Sequence, residues 1–137
     1  MELRIKDLDQ SPFQQFENWY QAATDAELHE PNAMSLATVS ESGAPSLRTV
    51  LLKVWDKSGF VFFTNHGSRK AQDISANPNV ALLFYWPPLH RQIRIEGTAH
   101  KVSTVESMKY FVTRPRGSQL GAWCSEQSST ISSRAVL

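Results

Sequence analysis

The segment Phe62-Phe63-Thr64-Asn65-His66-Gly67-Ser68-Arg69-Lys70 brings two hydroxyls and two cations to the start of a helix. An aromatic strand runs into a glycine turn. Ser68 then stands where it can cap a helix that passes through Ala71 and Ile74 and stops near Asn77-Pro78. A helix N-terminus carries unpaired backbone N–H groups and a partial positive charge. Thr64, Ser68, Arg69 and Lys70 added to it make a socket for a phosphate group. The same pattern also fits a capped surface helix whose cations only aid solubility.

A second cluster lies downstream. Tyr110 and Arg114 are spaced i, i+4 and share a helix face, and Ser118 follows the break at Pro115. A phenol, a guanidinium and a hydroxyl within mutual reach suit a phosphate monoester. A core-edge tyrosine beside a solvated arginine would give the same spacing. Upstream, Arg48-Thr49-Val50-Leu51-Leu52-Lys53 reads as a strand bracketed by cations. In a regular strand Arg48 and Lys53 point to opposite faces. Both can serve one site only if the strand bulges or bends, or if different subunits are involved; otherwise this is a strand with charged ends. Gln92 alternates with Ile93 and Ile95. Its amide offers a donor and an acceptor, which suits a heteroaromatic edge and equally suits an exposed strand position.

No side-chain catalyst is expected. The histidines His29, His66, His90 and His100 are scattered and pair with no cysteine or carboxylate at metal-ligand spacing, so no metal site is expected either. Neither a nucleophile elbow nor a glycine-rich dinucleotide or P-loop pattern occurs. An enzyme built from these residues would rely on a cofactor for its chemistry.

The elements that must position these groups fit one domain covering residues 1–137. Hydrophobic residues make up 41% and charged residues 20% of the 137, a globular balance. A net charge of +1 gives no overall pull toward nucleic acid or an anionic membrane. No apolar run is long enough to cross a bilayer, and the first residues lack the apolar core of a signal peptide. The single cysteine, Cys124, excludes an internal disulfide and fits a reducing, cytoplasmic setting.

Ser11-Pro12 opens a helix with Phe13, Phe16, Trp19, Tyr20 and Ala23 on one face. Strands are expected over 33–40, 46–55, 60–64, 80–86 and 91–102, the last bent at Gly97. Ser103-Thr104-Val105-Glu106 is a capping box for a helix ending before Pro115, followed by a polar stretch over 117–133. The apolar end Ala135-Val136-Leu137 looks like a cut through an element. Short turns between strands imply a mainly β fold with flanking helices, as an antiparallel sheet or barrel.

Taken in order, these segments resemble the pyridoxine/pyridoxamine 5′-phosphate oxidase family. The resemblance rests on residues 48–53, Phe63-Thr64-Asn65 with Gly67-Ser68-Arg69-Lys70, and Arg91-Gln92-Ile93. It continues through Met108-Lys109-Tyr110-Phe111, Arg114-Pro115-Arg116, Ser118-Gln119, Gly121-Ala122-Trp123 and Gln127-Ser128-Ser129. It implies an antiparallel, FMN-binding split β-barrel acting as a homodimer with flavin at the subunit interface. FMN contacts would fall on Arg48, Thr49, Val50, Leu51, Leu52, Lys53, Phe63, Thr64, Arg69, Lys70, Gln92, Gln127 and Ser128. Substrate-phosphate contacts would fall on Lys53, Tyr110, Arg114 and Ser118. The implied reaction oxidises pyridoxine 5′-phosphate or pyridoxamine 5′-phosphate to pyridoxal 5′-phosphate by hydride transfer from C4′ to flavin N5, with O₂ as final acceptor. Family chains continue past this end with an Arg-x-His substrate motif and further flavin contacts, so the C-terminal section is expected to be missing here. Phe63 replaces a tyrosine common in the family. A flavin- or pyridoxal-phosphate-binding protein without turnover is an alternative. So is a nucleic-acid-binding barrel stacking bases on Phe62 or Trp86, which the neutral charge disfavours.

Overall fold

The structure is a computed structural model and describes residues 3–65, 67–103 and 105. Helix α1 spans Pro12–Asp25, with Pro12 in its first turn and the Ser11 hydroxyl accepting from the Gln14 amide. Strands β1 (Ala33–Val39), β2 (Pro45–Asp56), β3 (Gly59–Phe62), β4 (Asn79–Trp86) and β5 (Arg91–Thr98) form one sheet in the order β3-β2-β1-β4-β5. Every pairing is antiparallel, and the sheet curls into a half-barrel. Helix α2 spans Arg69–Ala76 between β3 and β4.

Side-chain alternation sorts the sheet into two faces. Met34, Leu36 and Thr38 of β1 lie opposite Val50, Arg48 and Ser46 of β2, and Leu36 lies opposite Leu82 of β4. This face carries the core: Met34, Leu36, Val50, Leu52, Leu82, Phe84 and Trp86 are buried. The apolar stripe of α1 covers it. The Phe16 ring sits 5.0 Å from Phe60, 5.1 Å from Phe84 and 5.7 Å from Trp55, the first and last edge-on. Such aromatic packing is favourable beyond the area it removes from water. The Trp86 indole N–H is satisfied by the Pro31 carbonyl at 3.0 Å, which ties the loop after α1 to the sheet.

Both helix starts fall where the sequence placed them. Two strands end sooner than expected. β3 stops at Phe62, and β5 stops at Thr98 with an unbroken register through Gly97, which lies opposite Val80. For β5 the reason is on the neighbouring strand. β4 begins at Asn79, directly after Pro78, so β5 has no ladder partner further along; a last bond runs from Ala99 N–H to the Pro78 carbonyl at 2.8 Å. A 3₁₀ turn over Pro87–Leu89 ends β4, and His90, with φ 52°, reverses the chain into β5. A short 3₁₀ turn over Ile5–Asp7, bound by the Arg4–Asp7 pair at 3.0 Å, was not foreseen. The helix expected beyond Ser103 and the polar stretch after it fall almost wholly outside the described residues.

Candidate anion and cofactor site

The cationic residues converge where α2 packs on β1. Ser68, fully buried, caps α2: its hydroxyl accepts from the Ala71 amide at 3.2 Å and lies 3.0 Å from the Thr64 hydroxyl. Asn65 shapes the turn before it, with Oδ1 accepting from the Gly67 amide at 3.0 Å. Arg69 is exposed, whereas Lys70 is 1% exposed. Arg48 comes from β2 at a core-facing position. Its Nη1 donates to the Leu36 carbonyl at 3.2 Å and to the Thr38 hydroxyl at 2.7 Å.

These cations feel one another. Burial lowers the Lys70 pKa, and the Arg48 charge lowers it further. Burial likewise lowers that of Arg48; Asp73 opposes the shift and the Arg69 charge adds to it. Like charges gathered in a partly dry place favour an anion that would relieve them. Asp73 is the carboxylate that opposes them. It is buried, accepts from the Thr38 hydroxyl at 2.9 Å, and lies 3.9 Å from Arg48 Nη2.

A β-bulge falls at Lys53, so strict alternation does not force Arg48 and Lys53 to opposite faces. Leu52 pairs with Phe62 and Val54 with Val61, so two steps on β2 answer one step on β3, with Lys53 between. Alternation resets there, and Trp55 rejoins the α1 side, its ring 4.6 Å from that of Tyr20.

Not every expected residue joins the cationic group. The side chains of Val50 and Leu52 are buried in the core. Thr49 and Leu51 pair with Ser35 and Ala33 and lie on the opposite face. Gln92 is exposed on that same opposite face, directly across from Tyr85. Phe63 is half-buried just past β3. A groove of about 550 Å³ on the opposite face, lined in part by Ala37, Ala81 and Glu96, is separate from the cations. Tyr110, Arg114, Ser118, Gln127 and Ser128, with His66 and Cys124, lie outside the described residues.

Sequence reading missed Asp73 and Thr38. Asp73 follows Lys70 by three positions and Arg69 by four, the spacing at which helix side chains meet. Thr38 is the one polar residue at the buried positions of β1. Among the described residues no group of three His, Cys, Asp or Glu could hold a metal ion, and no helix is long and apolar enough to cross a membrane.

The sequence pattern of the pyridoxamine 5′-phosphate oxidase family matches residues 20–137. The chain is 70% identical over 131 residues to a pyridoxine/pyridoxamine 5′-phosphate oxidase of Crocosphaera subtropica, covering 96% of this chain and 61% of the relative. It is 60% identical over 135 residues to that of Aliarcobacter butzleri, covering 98% of this chain and 64% of the relative. It therefore spans less than two thirds of the length of these relatives. Among solved structures it is similar to PhzG from Burkholderia lata in complex with tetrahydrophenazine-1-carboxylic acid, at 27% identity and TM-score 0.88, over 97% of this chain and 67% of that one. It also shares the fold of a pyridoxamine 5′-phosphate oxidase-related, FMN-binding protein from Nostoc punctiforme, at 21% identity and TM-score 0.59, over 72% of this chain and 54% of that one. With its antiparallel split-barrel sheet, its two helices and these relatives, the chain belongs to the pyridoxamine 5′-phosphate oxidase family.

Proposed function

We propose that the cationic group binds the phosphate of FMN, and that the protein oxidises pyridoxine 5′-phosphate or pyridoxamine 5′-phosphate to pyridoxal 5′-phosphate with O₂. The observation carrying this reading is the placement of Arg69 and Lys70 on the first turn of α2, capped by Ser68, with Arg48 brought to the same helix 3.9 Å from the opposing charge of Asp73. That surplus of positive charge, beside the hydroxyls of Thr64 and Ser68, fits a doubly charged phosphate monoester.

Bound FMN supplies a two-electron acceptor. The chain's own residues bind and orient. Arg48 and Lys70 offer charge from partly dry positions, where each contact is stronger than in water. Arg69 adds charge at the rim. Lys53, freed by the bulge from strict alternation, is assigned with Tyr110, Arg114 and Ser118 to the substrate phosphate. Gln127 and Ser128 are assigned to the flavin. Thr49, Leu51 and Gln92 face away from the cations, so a homodimer with flavin between subunits is the arrangement that would let both faces contribute. We place the protein in the cytoplasm, in keeping with its single cysteine.

A second reading is an FMN-binding protein of the same fold that does not turn over these substrates. The likeness to PhzG, whose structure holds a tetrahydrophenazine, favours keeping it. The test is the flavin absorbance of the purified protein, followed by an assay of O₂-dependent pyridoxal 5′-phosphate formation. A flavin spectrum without product selects the second reading; no flavin removes both.

A further inference from the structure

Asp73 is a buried carboxylate, 6% exposed, to which the flavin reading gives no task. An ionised carboxylate only accepts hydrogen bonds, and a guanidinium only donates them. Thr38 stands between the two, its hydroxyl 2.9 Å from Asp73 Oδ2 and 2.7 Å from Arg48 Nη1. Its single hydrogen therefore goes to Asp73, and a lone pair receives Arg48. The chemistry of the three groups permits this direction alone. Two further contacts hold the guanidinium: Nη1 to the Leu36 carbonyl at 3.2 Å, and Nη2 at 3.9 Å from Asp73.

Something must oppose the repulsion at this point. Arg48 lies within the fields of both Arg69 and Lys70. Its side chain is 21% exposed, so water is within reach of a guanidinium that swings outward. We infer that Asp73 is a positioning residue: through the Thr38 hydroxyl it holds Arg48 in the cationic group, so that the group is assembled before a phosphate arrives. This rests on the reading that the group binds the FMN phosphate. Ordering Arg48 in advance removes an ordering cost that binding would otherwise carry. The same carboxylate also repels the incoming anion, so the two roles of Asp73 oppose each other and can be separated.

Thr38→Val leaves the charge of Asp73 in place and cuts the relay with little change of shape. FMN affinity of the purified full-length protein should fall about tenfold, the scale of one charge-assisted hydrogen bond. Affinity for riboflavin, which has the ring but no phosphate, should stay within about twofold of wild type. Thr38→Ser, which keeps the hydroxyl, should restore most of the loss. Asp73→Asn should also weaken FMN more than riboflavin; tighter FMN binding would mean that Asp73 acts as electrostatic drag alone and would overturn the inference. Equal loss of both ligands in Thr38→Val, or no loss, would overturn it as well. Thermal unfolding checks each variant, and if one does not fold the other decides. Failure of the wild-type protein to bind FMN would remove the flavin reading and the inference with it, whereas wild-type binding with unchanged variants removes the inference alone.

Discussion

Arg48 lies directly across the sheet from Leu36, and its guanidinium donates to the carbonyl of that same residue at 3.2 Å. A cation thus occupies a position that sheet alternation reserves for the core. The strand tolerates it because the Thr38 hydroxyl accepts from the guanidinium and Asp73, 3.9 Å away, supplies a counter-charge where α2 closes over β1. A charge kept at such cost to solvation is expected to have a ligand.

Arg69 stands at the exposed rim of the group and makes the cleanest probe of that ligand. Arg69→Ala is expected to weaken FMN binding by about ten- to a hundredfold, as loss of a charge-assisted hydrogen bond implies. Riboflavin should be spared. Fluorescence titration with both flavins measures the ratio, and equal losses would show that Arg69 does not face the phosphate.

Lys70 predicts a pH dependence. Burial first, and the Arg48 charge second, hold its pKa below the ordinary 10.5. Between the lowered value and 10.5 the unfolded chain binds the proton that the folded chain has lost. Stability of the ligand-free protein should therefore rise with pH through this window as far as Lys70 contributes. Phosphate binding has the opposite sign, because the anion favours charged Lys70. FMN affinity relative to riboflavin should fall as pH rises through the same window, and Lys70→Arg should flatten that fall. A ratio independent of pH in the wild type would separate Lys70 from the phosphate.

Phe16 joins α1 to the sheet through rings on β2, β3 and β4. Phe16→Ala should destabilise the protein by about 3–5 kcal/mol, combining lost transfer energy with a cavity. Urea unfolding should show a lower midpoint at an unchanged slope. A loss below about 1 kcal/mol would mean that α1 is not packed on this face as described.

Arg114 tests the division of labour between the two proposed phosphate sites. In protein that turns over, Arg114→Ala should raise KM for pyridoxine 5′-phosphate by about ten- to a hundredfold while leaving the bound-flavin spectrum nearly unchanged. Part of the loss can appear in kcat, since binding energy remote from the reacting carbon also orients it. Loss of flavin with normal substrate affinity would reverse the assignment.

Much of this fold was legible because its signals are local. Ser11-Pro12 and Ser68 start helices by satisfying amides within their own first turn. The strand from Ala33 to Val39 announces itself by alternation. Strand ends were less legible, because a strand stops where its neighbour stops: β5 ends at Thr98 on account of Pro78, twenty residues away in sequence. The site divided along the same line. Ser68, Arg69 and Lys70 are neighbours in the chain and could be grouped by eye. Thr38 and Asp73 are 35 residues apart and meet only when α2 lies on β1, so neither looked functional beforehand.

The bulge at Lys53 has one more implication. Excising that single residue would leave Leu52 opposite Phe62, Val54 opposite Val61 and Trp55 opposite Phe60, the pairs β2 and β3 already make. The ladder would simply become continuous. Lys53 is thus the residue by which β2 exceeds β3 across this step of the ladder. A one-residue deletion there is expected to keep these β2–β3 pairs while removing the cation proposed for the substrate phosphate, so strand pairing and substrate binding can be probed at one position.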